Sequence, residues 1–237
     1  MRFDTPLVEG VLIRRYKRFL ADVLLADGSQ LTAHTSNTGA MSTCSDPGAR
    51  VWLRNTGNPQ RKYPYSWELV ETASGELVGI NTGLSNTLVR EGIENGTIKE
   101  LQGYRKIRPE VRYGLENSRI DLLLEASQGP DCFVEVKNVT LIEAGSATAL
   151  FPDAVSTRGA RHLRELMAMV QQGYRAVIFF CVQRTDARVV SPADAIDPVY
   201  GQSLRRALAQ GVEGLAYSAR VSTRGIRLQQ CLPVICD

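Results

Sequence analysis

Two apolar runs near the middle of the chain limit its fold more than any other feature. Arg119 to Glu125 and Cys132 to Leu141 are separated by Ser127-Gln128-Gly129-Pro130, a break that reads as a turn between two strands. Side chains on a strand alternate between faces, so Phe133, Glu135, Lys137 and Val139 share one face, while Cys132, Val134 and Val136 share the other. If the runs pair as a hairpin centred on Gln128, Asp121 falls opposite Glu135, because equal counts of residues separate each from the centre. Both runs are otherwise very apolar, as expected of strands covered on both faces, and charge inside such strands is costly.

A patch of two carboxylates and an ammonium has a chemical use. Carboxylate oxygens are hard ligands that hold Mg²⁺ or Mn²⁺ through one or two groups, leaving positions for water and a substrate phosphate. Such a metal makes water nucleophilic and stabilises charge on a phosphodiester, and a nearby Lys137 would orient the water or neutralise the developing charge. The same residues also describe a solvated strand face with ion pairs across the ladder. The residues alone leave both readings open.

With 237 residues, 43% of them apolar, the chain has room for one large domain or two modest ones with an ordinary globular core. A net charge of +3 is too small for whole-molecule attraction to polyanions, so such contacts must come from local clusters. Five scattered cysteines without C-x-x-C spacing indicate reduced thiols, and two histidines, His34 and His162, make a structural zinc site a poor expectation. There is no continuous apolar leader and no run of membrane-spanning length, so the expectation is a soluble, cytoplasmic protein with no membrane partner.

Up to about Ile80 the pattern is strand and turn. The runs are Leu7 to Ile13, Phe19 to Ala26, Gln30 to Thr35, Arg50 to Asn55 and Trp67 to Thr72, with Asp27-Gly28 a hairpin signal. Five short strands suit a small barrel of the oligonucleotide/oligosaccharide-binding (OB) type, with a small sandwich as the alternative. Arg14, Arg15, Lys17 and Arg18 interleave with Tyr16 and Phe19, and Arg61 and Lys62 precede Tyr63, Tyr65 and Trp67. Cations track a phosphate backbone while aromatic faces stack on bases; solvated loops and barrel-core aromatics would look the same. Asn37-Thr38-Gly39-Ala40-Met41 reads as a tight turn in which Gly39 supplies positive φ.

Around Asn81 the texture changes, dividing the chain into residues 1–80 and 81–237. Leu84 to Glu94 is helical in period, ends at Asn95-Gly96 and carries Glu91. Tyr104 to Arg112 is a basic strand that Pro109 assigns to an edge or bulge. Thr148 to Pro152 reads as irregular, followed by a helix capped by Ser156 or Thr157, stopped by Gly173 and bearing Arg158, Arg161, His162 and Arg164. Ala176 to Val182 is a buried central strand, Asp197-Pro198 opens a helix to about Gln210, and Leu215 to Val221 and Ile226 to Val234 are a closing pair. The order predicts an α/β sandwich with a mixed sheet.

Two family resemblances attach to these residues. Asp121, then Glu135-Val136-Lys137, then a helix and a buried strand, resembles the core of the PD-(D/E)XK nuclease superfamily, although Ile120 stands where the signature has its proline. That resemblance implies Asp121 and Glu135 as ligands of Mg²⁺ or Mn²⁺, Lys137 as assistant to the attacking water, and Glu91 as a further helix carboxylate. The segments 37–41, 118–121, 133–141 and 151–155, with Arg158-Gly159 and His162-Leu163, resemble the bacterial sugar fermentation stimulation protein family. This implies an OB-type barrel, a nuclease-like C-terminal domain and DNA binding, while the basic clusters themselves make Arg14, Arg15, Lys17, Arg18, Arg61, Lys62, Tyr63, Arg158 and Arg161 the candidate contacts. Two functions then compete: a metal-dependent nuclease, and a non-catalytic DNA-binding regulator of sugar, chiefly maltose, metabolism. An enzyme for a small phosphodiester is a third, and self-association into a homodimer is left open.

Overall fold

The computed structural model describes residues 1–114, 116 and 118–236. The N-terminal half is built from β1 (Val8–Tyr16), β2 (Leu20–Leu25), β3 (Gln30–His34), β4 (Arg50–Asn55), β5 (Tyr65–Glu71) and β6 (Leu77–Gly79). They are ordered β3-β2-β1-β4-β5-β6, and a parallel contact of His34 with Ser66 joins β3 to β5, closing the first five into an OB-type barrel. Alternation builds its inside: Leu12 is buried whereas Val11 and Ile13 on the same strand face outward. Leu12, Val23, Ala33, Val51, Leu53, Trp67 and Val70 are among the residues that fill the interior. The Asp27-Gly28 turn is as expected, with Gly28 at φ 83°. β1 runs on to Tyr16, so Arg14 and Arg15 belong to a strand and not to a loop.

The second half follows in order: α1 (Ser85–Glu94), β7 (Tyr104–Tyr113), β8 (Ser118–Ala126), β9 (Cys132–Val139), β10 (Leu141–Ile142), β11 (Thr148–Phe151), α2 (Thr157–Gln171), β12 (Arg175–Val182), β13 (Val189–Pro192), α3 (Pro198–Ala209), β14 (Glu213–Ser222) and β15 (Gly225–Leu232). Its main sheet is ordered β15-β14-β12-β9-β8-β7, with β12 parallel to both β9 and β14 and the remaining pairs antiparallel. One apolar cluster, with Leu88, Val89 and Ile93 of α1, packs on one face, and another, with Leu163 and Leu166 of α2 and Tyr200 and Leu204 of α3, packs on the other. This is the α/β sandwich with a mixed sheet that the element order predicts. Every residue of β12 from Ala176 to Val182 is at most 1% exposed, the mark of a central strand. The caps are also as read: Ser156 accepts from the Gly159 amide at 2.9 Å, and Asp197 accepts from that of Tyr200 at 2.9 Å ahead of Pro198.

One expectation is corrected. Thr148 to Pro152 is not irregular: Thr148–Phe151 forms β11, which pairs with β10 and β13 in a separate three-stranded sheet. Runs of two to four residues show no alternation long enough to detect, and β13 escaped notice for that reason.

The two halves share a core. Trp52 and Leu69 of the barrel lie in the same buried cluster as Leu88, Leu122, Tyr217 and Ile226. Polar contacts run along the seam. Buried Glu68 accepts from Arg54 at 2.9 Å and from Asn81 at 2.7 Å, and the Gly79 amide donates to the Gln183 carbonyl at 2.9 Å.

Candidate active site

The central hairpin has the register its sequence sets. Leu122 pairs with Val134, Leu123 with Phe133 and Leu124 with Cys132, a series whose next members are Asp121 and Glu135. Backbone pairing stops there. The Asp121 carboxylate takes the place of the missing ladder bond, its Oδ2 accepting from the Val136 amide at 2.7 Å. On the other side, the β7–β8 register omits Glu110, which stands at φ 54° opposite Asp121. Alternation also breaks at this point: Leu122 and Leu124 face α1, yet both Leu123 and Ile120 face α2. Asp121 therefore sits where β8 changes the face it presents.

β9 keeps strict alternation. Cys132, Val134 and Val136 join the α1-side cluster, and Phe133 and Val139 join the α2-side one. Glu135 thus points towards α2 and is 2% exposed. Its Oε1 accepts from Lys137 Nζ at 2.6 Å and also meets Nδ1 of His162. Its Oε2 is fully buried with no hydrogen-bond partner. Asp121 is held by Val136 and, through Oδ1, by the Asn86 amide group of α1 at 2.9 Å.

The two carboxyls are pushed apart electrostatically. Burial, and then the neighbouring Glu135 charge, raises the Asp121 carboxyl from 3.8 to about 6. Burial pushes Glu135 up as well, but Lys137 and His162 together outweigh it and hold that carboxyl below its ordinary range.

These groups line a cleft of about 470 Å³ between the halves. The barrel contributes Arg18 and Ser36 to Gly39; α1 contributes Ser85 and Asn86; Phe151 to Ser156, Arg158 and His162 form the far side. The rim closes where barrel meets sandwich, the Met41 amide donating to Asp153 Oδ2 at 3.1 Å. Gly39 does not supply positive φ, as the sequence suggested; Met41 takes that conformation at φ 53°. Glycine is needed at 39 for space, since a Cβ there would lie 2.3 Å from both Asp153 carboxylate oxygens.

The structure brings Asp121, Glu135, Lys137, Arg158 and Arg18 into this cleft and places the other candidates elsewhere. Glu91 pairs with the Met1 amino group, in a different groove. Arg14 pairs with Asp22 at 2.8 Å and lies over Tyr16. Arg15 donates to the carbonyls of Arg18, Asn37, Gly39 and Ala40, which makes it a brace for the cleft wall. Lys17 is exposed at the tip of the β1–β2 hairpin. Arg61, Lys62 and Tyr63 lie in the β4–β5 loop, Lys62 over the Tyr63 ring. Arg161 has a buried Nε without a partner, and Arg164 pairs with Glu116 at 3.0 Å. Sequence reasoning missed Asn86, which no motif marks, and gave no role to Asp153, although segment 151–155 contains it.

Among the described residues no group of three or more His, Cys, Asp or Glu side chains forms a metal cage. A pair of carboxylates with one unpartnered buried oxygen nevertheless suits a hard divalent cation that keeps much of its water, as Mg²⁺ does. Asp121 and Glu135 would hold it.

Comparison with known proteins gives a family. Residues 83–225 match the model described as the sugar fermentation stimulation protein RE domain, and residues 13–80 match the N-terminal OB domain of the same family. The sugar fermentation stimulation protein homolog of Geobacter metallireducens is 63% identical over 235 residues, covering 99% of this chain and 100% of its own. That of Geobacter sulfurreducens is 62% identical over 236 residues, covering 99% of each chain. Among solved structures, that of Pyrococcus furiosus SfsA in complex with Ca²⁺ is 31% identical, with a TM-score of 0.88 over 99% of this chain and 98% of that one. The chain belongs to the sugar fermentation stimulation protein family.

Proposed function

We propose that the protein is a divalent-metal-dependent nuclease that hydrolyses phosphodiester bonds of nucleic acid, DNA foremost, at the Asp121, Glu135 and Lys137 cleft. The observation that carries this reading is a buried carboxylate pair, one oxygen of it unsatisfied, beside a 12% exposed lysine in a cleft edged by arginines. Two carboxylates placed together cost free energy unless a cation offsets their charge. Ca²⁺ in the relative from Pyrococcus furiosus supports a cation site in this family.

Each residue then has work. Asp121 and Glu135 would hold the cation, which when bound would supply positive charge for the phosphoryl oxygens and acidify a water molecule. Asn86 and the Val136 amide fix the Asp121 carboxylate, so it needs no reorganisation at the moment of reaction. Lys137, anchored on Glu135, orients the attacking water and offsets charge as the phosphorus centre gains it. Arg18 and Arg158, on opposite walls, place the phosphate backbone across the pair.

The test is cleavage of labelled single- and double-stranded DNA and RNA by wild-type protein and Lys137→Ala, in Mg²⁺, Mn²⁺ or EDTA. Metal-dependent cutting, lost by at least a hundredfold in the variant, is expected. Binding without cutting in every metal would favour the non-catalytic regulator instead.

A further inference from the structure

His162 is only 2% exposed, and its imidazole touches two charged groups. Its Nδ1 meets Glu135 Oε1, and its Nε2 lies 3.2 Å from Arg158 Nε. A guanidinium can only donate, so the Arg158 contact requires a lone pair on Nε2. In the neutral ring the proton then resides on Nδ1, facing Glu135, whose carboxylate can only accept. Lys137 donates to the same Oε1 at 2.6 Å. Both protein donors thus converge on one oxygen of Glu135, and Oε2 is the oxygen left over.

We propose that His162 is a positioning residue: held by Arg158 as the Nδ1–H tautomer, it fixes the Glu135 carboxylate by Oε1 so that Oε2 is presented to the divalent cation. This rests on the proposed metal site and assigns the Arg158–His162 pair, four residues apart on α2, to its support. Outer partners of metal ligands act in this way, and their loss typically lowers metal affinity about 10–100-fold. Arg158 then has two duties, since the guanidinium that sets the tautomer also lines the cleft.

The proposal discriminates between two side chains of similar polarity. An asparagine amide nitrogen reproduces the position of Nδ1, whereas that of glutamine reproduces Nε2. His162→Asn therefore keeps the donor to Glu135. His162→Gln extends its amide towards Arg158, where its oxygen can accept, and leaves Glu135 without a donor. Wild type, His162→Asn, His162→Gln, His162→Leu and Asp121→Asn are titrated with Ca²⁺ by calorimetry, which reads binding without turnover. Expected is at least about tenfold weaker Ca²⁺ binding for His162→Gln and His162→Leu, with His162→Asn within about threefold of wild type. Equal affinity in all three His162 variants, or loss in all three alike, would overturn the proposal. Ca²⁺ binding by wild type that Asp121→Asn leaves unchanged would instead overturn the metal site on which the proposal rests. Nitrogen-15 chemical shifts of the wild-type ring supply a check independent of variant folding. A proton on Nδ1 is expected, and one on Nε2 refutes the assignment.

Discussion

Replacing Asp121 by asparagine should make the metal-free protein more stable. A carboxyl pushed from 3.8 to about 6 in the folded state holds its proton more tightly there than in the unfolded chain. Folding consequently loses stability as pH rises from about 4 through about 6, and the loss is complete above that range. Its limit at pH 8 is the difference between those two values, about 3 kcal/mol at 1.4 kcal/mol per pH unit. Asparagine conserves shape, accepts from the Val136 amide and meets Asn86 after a flip of that amide, but it cannot ionise. For a chain of this length the gain in EDTA at pH 8 corresponds to roughly 6–12 °C in Tm, shrinking towards zero near pH 4. Calorimetric scans of wild type and Asp121→Asn between pH 4 and 8 test this. Adding Ca²⁺ should then raise the wild-type Tm and leave the variant unmoved, closing the gap, since only a group that binds the folded state adds stability. No difference at pH 8 in EDTA, or a difference independent of pH, would refute the argument that burial and the Glu135 charge burden Asp121.

Two further tests address the cleft wall and the backbone contacts. Gly39→Ala should cost about 1–3 kcal/mol by urea titration, because its Cβ would collide with Asp153. Most of that cost should disappear in an Asp153→Ala background, and an unchanged cost there would show that the clash lies elsewhere. Arg18→Ala should reduce the slope of log K against log salt for DNA binding by about 0.9, the share of one phosphate, and a slope identical to wild type would remove Arg18 from the interface.

The central hairpin was legible because its geometry is local. Strand alternation and a turn residue fix which side chains share a face, and the pairing of Leu122 with Val134 follows from the position of Gln128. The break in β8 at Asp121 was not legible, since it depends on Glu110 of a separate strand adopting φ 54°. Which members of the basic clusters reach the cleft was not legible for a related reason. Whether an arginine is free to meet a phosphate depends on partners remote in sequence, and Arg15 spends its donors on carbonyls of residues 37, 39 and 40. Glu91 lies on the expected helix, but Asn86, a turn and a half earlier, is the residue of α1 that reaches Asp121. Gly39 shows the same limit: a glycine in a turn suggests backbone freedom, whereas here it marks the approach of Asp153, more than a hundred residues away.

The core shared by barrel and sandwich restricts how a substrate can arrive. Swinging the barrel aside would draw Trp52, 6% exposed, and Leu69, fully buried, out of the cluster they share with α1 and the main sheet. Exposing two such side chains costs roughly 3–6 kcal/mol, before the Glu68 and Asn81 contacts at the seam are broken. An opening motion of that size leaves the gaping state at well under one molecule in a hundred. Under the proposed function the barrel wall does not swing aside for a strand, so access to the cleft that Arg18 and Val155 help line is set when the chain folds.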